Sequence, residues 1–248
     1  MYDNYLFDLY GTLIDIRTDE HSKNFFKKYA KWLRRHGFSF TWKKFRRLYL
    51  SFEKQYRENA LKAGIYRNPE IDIRDVFRDI LTVSGYPGVD ETCINRLCKS
   101  FRNISRIRMR LFPDTLFCLN TLRKADKKIY LLSNAQRSFT WQELEQTGLL
   151  SCFDGILISS DEGCMKPDPA FYDLCCERYH LDKSRCIMIG NEQNSDMKGA
   201  RDAGIDGFYI NRSPVFHGEK EPVYKYVSKS GSLEEVLIQT LAADAKMV

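Results

Sequence analysis

The sequence predicts a three-layer α/β protein built on a parallel sheet, with an all-helical insertion near its start. Three observations lead there. From residue 111 onward, short continuous apolar runs alternate with amphipathic stretches, the pattern of buried parallel strands joined by helical crossovers. Residues 17–110 instead place apolar side chains at helical spacing and show no convincing strand. Charge divides at the same place: residues 17–110 hold 23 Lys and Arg against 10 Asp and Glu, and the rest of the chain holds 16 against 23. Such a split marks two units with different tasks.

Taken in order, the chain opens with an apolar strand over 4–9. Phe25, Phe26, Tyr29, Trp32 and Leu33 give helix 21–36, which Gly37 stops. Trp42, Phe45, Tyr49, Phe52 and Tyr56 give helix 42–63, ending at Gly64. Val76, Phe77, Ile80 and Leu81 mark helix 71–84; Ile94, Leu97, Phe101 and Ile104 mark helix 90–105. Helix 114–126 then leads to strand 129–133, helix 138–147 to strand 155–159, helix 169–180 to strand 186–190, and helix 195–203 to strand 207–210. A last helix covers about 232–242. Residues 211–231, with Pro214, Gly218, Pro222 and Gly231, are the most loop-like stretch. The implied division is 1–16 with 111–248 for the α/β part and 17–110 for the helical part.

With 248 residues, 43% of them hydrophobic, the chain can fill a core. No apolar run approaches the roughly 18 residues of a spanning helix, so no membrane is expected. The opening MYDNYLFDLYGT carries Asp3 and Asp8 and lacks the pattern of a signal peptide; it reads as the first strand of a cytoplasmic protein. The eight cysteines form no CxxC pair and read as reduced thiols. His21, His36, His180 and His217 have no metal-ligand spacing.

In a parallel α/β sheet, ligands bind beyond the carboxyl ends of the strands. The residues just past those ends are Asp8, Ser133 with Asn134, Lys166 in Lys-Pro-Asp-Pro, and Asn191 with Glu192, followed by Asp196. A carboxylate, a hydroxyl, an ammonium and a second acidic cluster on one edge suit an enzyme with an aspartate nucleophile. Asp8 would attack, Ser133 would hold an anionic oxygen, Lys166 would neutralise charge, and Asp196 would orient Lys166 or a metal. Each has a plainer reading. Ser133 could cap the next helix, Asp196 could be an N-terminal helix charge, and Lys166 could be a solvated loop residue.

The order and spacing of these groups over residues 5–204 resemble the haloacid dehalogenase (HAD) superfamily of hydrolases. The resemblance implies a three-layer, Rossmann-like core and makes the helical insertion a cap domain. It assigns Asp8 as nucleophile, Ser133 as the second-motif hydroxyl and Lys166 as the third-motif lysine. Phosphatases of that superfamily form an aspartyl-phosphate and need Mg²⁺. The implied metal set is Asp8, the backbone carbonyl of Tyr10, Asn191, Glu192 and Asp196. Thr12 and Asn134 are the candidate substrate contacts on the core, and Lys43 and Arg47 those on the cap.

Two residues depart from the phosphatase pattern. Tyr10 takes the place of the general acid in Asp-x-Asp, and a phenol with a pKa near 10 is a poor donor at neutral pH. Asn191 stands where a metal-binding aspartate is usual. The opening Asp-x-Tyr-Gly-Thr resembles the 2-haloacid dehalogenases, which need neither metal nor acid. Their fourth motif and their cap arginine are not matched, since Lys43 follows Trp42. Three functions follow: a Mg²⁺-dependent phosphatase on a small anionic metabolite, preferring good leaving groups; a metal-free dehalogenase-like hydrolase; or a binding or regulatory protein on a disabled catalytic frame. The basic insertion favours an anionic substrate, with Lys43, Lys44, Arg46, Arg47 and Arg57 as candidates. Nucleic acid is not expected, because the interleaved aromatics sit at core spacing.

Overall fold

The computed structural model describes residues 2–212 and 225–245. Pro214, His217, Gly218 and Pro222 of the expected loop lie outside the described residues. The chain runs β1 (Asn4–Phe7), β2 (Ile14–Thr18), α1 (Lys23–Arg35), α2 (Trp42–Ala63), α3 (Ile73–Val83), α4 (Glu91–Ser105) and β3 (Arg106–Leu111). It continues with α5 (Thr115–Lys124), β4 (Lys128–Ser133), α6 (Arg137–Thr147), β5 (Gly155–Ile158), α7 (Ser159–Glu162), α8 (Pro169–Tyr179) and β6 (Cys186–Gly190). The last described elements are α9 (Lys198–Asp202), β7 (Asp206–Ile210), β8 (Tyr226–Ser228) and α10 (Glu234–Ala245).

Six strands form one parallel sheet in the order β5-β4-β1-β6-β7-β8. Alternate residues of a strand face opposite sides, and β1 shows the result. Tyr5 and Phe7 pack with Leu122, Leu144 and Val236 on one face, and Leu6 packs with Phe171 and Tyr172 on the other. Both faces are covered by helices, hence three layers. From β1 the chain goes first to β4 on one side and later to β6 on the other. That reversal leaves a crevice at the carboxyl end of β1.

The four helices α1–α4 build a separate aromatic cluster around Phe25, Tyr29, Phe45, Phe77 and Phe101. Phe25 meets Phe101 edge to face at 4.7 Å, and such pairs add about 0.5–1.5 kcal/mol beyond burial. Each helix starts on a side-chain cap, Ser22, Thr41, Asp72 and Asp90 respectively. Gly64 ends α2 at φ 65°, where a Cβ would be strained. Phe139 of α6 completes the cluster from the sheet side.

The expectation of no strand between 17 and 110 is corrected. β2 and β3 pair antiparallel and cross both expected boundaries. They were hidden because their outward positions are ionic: Arg108 and Arg110 on β3 reach Asp15 on β2 at 2.6 and 3.0 Å. Helix 195–203 is also revised. Residues Gln193–Met197 wind as one wide π turn before α9 begins. None of the eight cysteines is bridged. Among the described residues no helix is long and apolar enough to cross a membrane.

Candidate active site

β1 ends at Phe7, and the next N–H, that of Asp8, still bonds the Ile189 carbonyl at 2.9 Å. Asp8 is thereby fixed at the crevice between β4 and β6. The chain then turns sharply at Gly11, φ 86°, where a Cβ would stand 2.5 Å from the Asn191 amide nitrogen. Only glycine allows this approach. Thr12 Oγ1 donates to Asn191 Oδ1 at 3.1 Å.

Lys166 joins the acids. Its Nζ lies 2.7 Å from Asp8 Oδ1 and 2.7 Å from Asp196 Oδ1, and it donates to the Leu132 carbonyl at 2.8 Å. Asp196 is buried, and its other oxygen accepts the Glu192 N–H at 3.0 Å. Gly190 leaves room for it, since a Cβ there would lie 2.3 Å from Asp196 Oδ2. Asn134 holds the lysine's backbone from both sides: it accepts the Lys166 N–H at 2.8 Å and donates to the Lys166 carbonyl at 2.9 Å. The loop bearing Lys166 is also stitched to residues 67–70. Asp168 accepts the N–H groups of Arg67 and Asn68 at 2.7 and 3.0 Å, Met165 N–H bonds the Asn68 carbonyl at 2.9 Å, and Glu70 N–H bonds the Gly163 carbonyl at 2.9 Å.

Electrostatics follow from burial. Desolvation pushes the Asp8 carboxyl up to about 7; Lys166 opposes the rise, and Asp196 and Glu192 add to it. Burial alone would lower Lys166, but Asp196 and Asp8 more than offset it, so the ammonium is held more firmly than usual. Glu192 is raised by burial and by Asp196. Ser133 is fully buried, and among the described residues its hydroxyl has no hydrogen-bond partner. An unmet buried hydroxyl is costly.

The side chain of Tyr10 is committed elsewhere. Its hydroxyl donates to Glu143 and lies 3.0 Å from Thr140 Oγ1. Burial and Glu143 raise its pKa well beyond the usual phenol value, so it is no acid at neutral pH. Arg102 lies over its ring at 5.4 Å and reaches Glu143 Oε1 at 2.8 Å and Glu20 at 2.8 Å.

A cavity of about 250 Å³ adjoins these residues, lined by Tyr10, Asn134 and Phe139 on one side and by Glu20, Arg57, Glu70 and Arg102 on the other. Arg57 pairs with Glu53 at 2.7 Å and Glu70 at 3.3 Å. Lys43 and Arg47, expected at the substrate, are exposed on α2 and do not line this cavity. Distance along the helix explains the difference: Lys43 and Arg47 lie 14 and 10 residues before Arg57 on α2, about 21 and 15 Å away along the axis. Glu20, Glu70, Arg102 and Glu143 had no sequence signal, since nothing local marks a charged residue that tertiary packing buries.

A model of haloacid dehalogenase-like hydrolases matches residues 2–204. The chain belongs to this family. It is 27% identical over 126 residues to the glyceraldehyde 3-phosphate phosphatase of Methanothermobacter thermautotrophicus, covering 51% of this chain and 55% of that protein. It is 26% identical over 140 residues to the N-acylneuraminate-9-phosphatase of Homo sapiens, covering 56% of each. The chain thus spans about half the length of the curated relatives it matches. The solved 2-haloacid dehalogenase of Pseudomonas syringae pv. Tomato DC3000 superposes with a TM-score of 0.65 at 19% identity, covering 98% of this chain and 99% of that one. That likeness shows a shared fold.

Members of this hydrolase family that act as phosphatases generally use Mg²⁺. Among the described residues no three His, Cys, Asp or Glu side chains surround one point. Mg²⁺ does not need that, because it is held by one or two carboxylates together with waters and substrate phosphate. Among the described residues the crevice offers oxygen donors, and Asp8, Glu192 and Asp196 outnumber the Lys166 ammonium, with Asp8 and Glu192 both pushed up. A hard cation fits that imbalance. Asp196 is the least available of the expected donors, since its two oxygens serve Lys166 and the Glu192 N–H.

Proposed function

We propose that the protein is a phosphatase with Asp8 as nucleophile, acting on a small anionic phosphorylated metabolite with a good leaving group. The observation that carries this reading is the pairing of Asp8 with Lys166 at 2.7 Å, with the Ser133 hydroxyl, unpartnered among the described residues, at the end of the neighbouring strand β4. Asp8 attacks phosphorus, forming a carboxyl–phosphoryl bond as the bond to the leaving oxygen breaks. Water then hydrolyses the acyl phosphate and releases inorganic phosphate. Ser133 binds a phosphoryl oxygen, and Lys166 neutralises Asp8 and the charge that develops. Asp196 and Asn134 keep Lys166 in place. Mg²⁺, held by Asp8, the Tyr10 carbonyl, Asn191 and Glu192, would supply further charge neutralisation.

With Tyr10 bound to Glu143, no acid protonates the leaving oxygen, a loss worth about 10²–10⁴ in rate. Acyl phosphates and pyrophosphates leave without that help. Residues 17–110 are proposed to act as a cap over the crevice, selecting the substrate through Arg57 and Arg102. Eight unbridged cysteines suit a reducing compartment such as the cytoplasm.

The test is hydrolysis of a panel of phosphorylated metabolites and p-nitrophenyl phosphate, with Mg²⁺ and with EDTA, by wild type and Asp8→Asn. Activity that needs both Mg²⁺ and Asp8, highest on acyl phosphates, is expected. Faster turnover of simple sugar phosphates would reject the leaving-group preference. Chloride release from 2-chloropropionate in EDTA would favour the dehalogenase reading, which the uncharged Asn191 supports. Tight binding of a phosphorylated ligand without turnover, unchanged in Asp8→Asn, would favour a regulatory protein.

A further inference from the structure

Residues 21–52 contain ten Lys and Arg and no Asp or Glu. Among the described residues none of the ten forms an ion pair, while Arg57, Arg74, Arg78, Arg102 and Arg108 each hold a carboxylate. Lys23, Lys27, Lys31 and Arg35 are all exposed and follow one another at four-residue steps along α1. That is a ridge of cations about 6 Å apart along the axis. Like charges at this spacing oppose the helix, so the fold itself gains nothing from the row. The surface continues onto α2, because Lys23 and Lys43 both approach the Trp42 ring, at 5.6 and 5.9 Å.

We propose that this ridge binds the phosphodiester backbone of single-stranded nucleic acid. A regular row of cations fits a regular polyanion, and half-exposed Trp32, stacked on His36 at 3.8 Å, stands among the charges as rings do on single-strand binders. An anionic bilayer is the poorer fit, since stable attachment needs a second, apolar signal. The exposed large hydrophobics, Leu61, Ile65, Val83, Ile107, Leu116, Phe117 and Ile238, all lie outside this stretch. The sequence argument against nucleic acid rested on the aromatics, and Phe25, Phe26, Tyr29, Phe45 and Tyr49 are indeed buried. It gave the cations to an anionic substrate, yet Lys43 and Arg47 do not line the cavity. The inference does not depend on the proposed hydrolysis.

The experiment is fluorescence anisotropy of labelled 12-residue single-stranded RNA and DNA of one sequence with the full chain, over a salt series. Four phosphate contacts predict a slope of log affinity on log salt of about −3, at about −0.7 per contact. The double variant Lys27→Gln, Lys31→Gln should weaken binding and bring the slope to about −1.4; Lys27→Glu, Lys31→Glu should weaken it at least tenfold. Lys124→Glu, an exposed cation on α5, should change nothing. Thermal unfolding verifies that each variant is folded. Equal binding of RNA and DNA supports backbone contact, and a preference for RNA supports it with added 2′-hydroxyl contact. The proposal is overturned if neither oligonucleotide binds at 50 mM salt, if Lys124→Glu weakens binding as much as the α1 reversals, or if only phosphatidylserine vesicles bind.

Discussion

Replacing Arg102 with Met removes one charge from the interior and keeps most of its stem. Glu143 has a side chain only 1% exposed, and Arg102 one only 11% exposed. Removing one partner of such a pair costs about 3–5 kcal/mol, because the other charge stays buried. Arg106 Nη1 remains 3.7 Å from Glu143 and the Tyr10 hydroxyl still donates to it, which places the loss near the lower end, about 3 kcal/mol. For a chain of this size that is a fall in Tm of about 6–12 °C. The double variant Arg102→Met, Glu143→Leu removes the deeply buried charge; Glu20 and Arg106 each lose a partner but both reach solvent, so it should recover most of the loss, as buried pairs often do when replaced together. Urea unfolding followed by tryptophan fluorescence measures both. A single variant within about 1 kcal/mol of wild type, or a double variant no better than the single, would refute the reasoning.

Ser133→Ala should leave stability within about 0.5 kcal/mol, since among the described residues the hydroxyl has no hydrogen-bond partner, while lowering kcat/KM roughly 10–100-fold, by analogy with the loss of an oxyanion donor; equal kcat/KM would remove Ser133 from the site. Gly11→Ala should cost about 1–3 kcal/mol, because it combines φ 86° with a contact at Asn191, and chemical denaturation tests it. In metal-free protein, Asp8 should be protonated below and ionised above about pH 7; carbonyl ¹³C NMR reads the midpoint, and Mg²⁺ should move it down, because a cation favours the carboxylate. Asp114 behaves in the opposite sense. Burial presses its carboxyl up, but Arg212 and the Leu233 N–H outweigh burial and hold it below the usual range. Its stabilisation is full above the unfolded pKa and is lost as pH falls through the folded one, so Asp114→Asn should flatten the stability profile below about pH 4.

The strands that carry the site were legible because they are continuously apolar and end in polar residues. Cys186–Gly190 stands where the pattern put it, and α2 spans the predicted 42–63. β2 and β3 were not legible, since Arg-rich alternation on a solvent-facing ribbon resembles a loop. At the site, Asp8, Lys166 and Asp196 meet as the strand ends suggested. What Tyr10 does was not readable, because its partner Glu143 lies 133 positions away on a helix with little amphipathic contrast. Asn134 was expected at the substrate, and it spends its amide on the lysine's backbone, a choice that depends on two loops arriving together.

The stitching of residues 67–70 to the loop of Lys166 bears on how this protein can be re-engineered. If the helical segment selects the substrate as proposed, the direct way to change substrate range is to exchange the whole segment for another. Here the segment supplies the backbone groups that Asp168 and Met165 bind, so an exchange would also remove part of the scaffolding around Lys166. A chimera that keeps residues 66–73 with the recipient sheet, and swaps only the helices on either side, preserves that support.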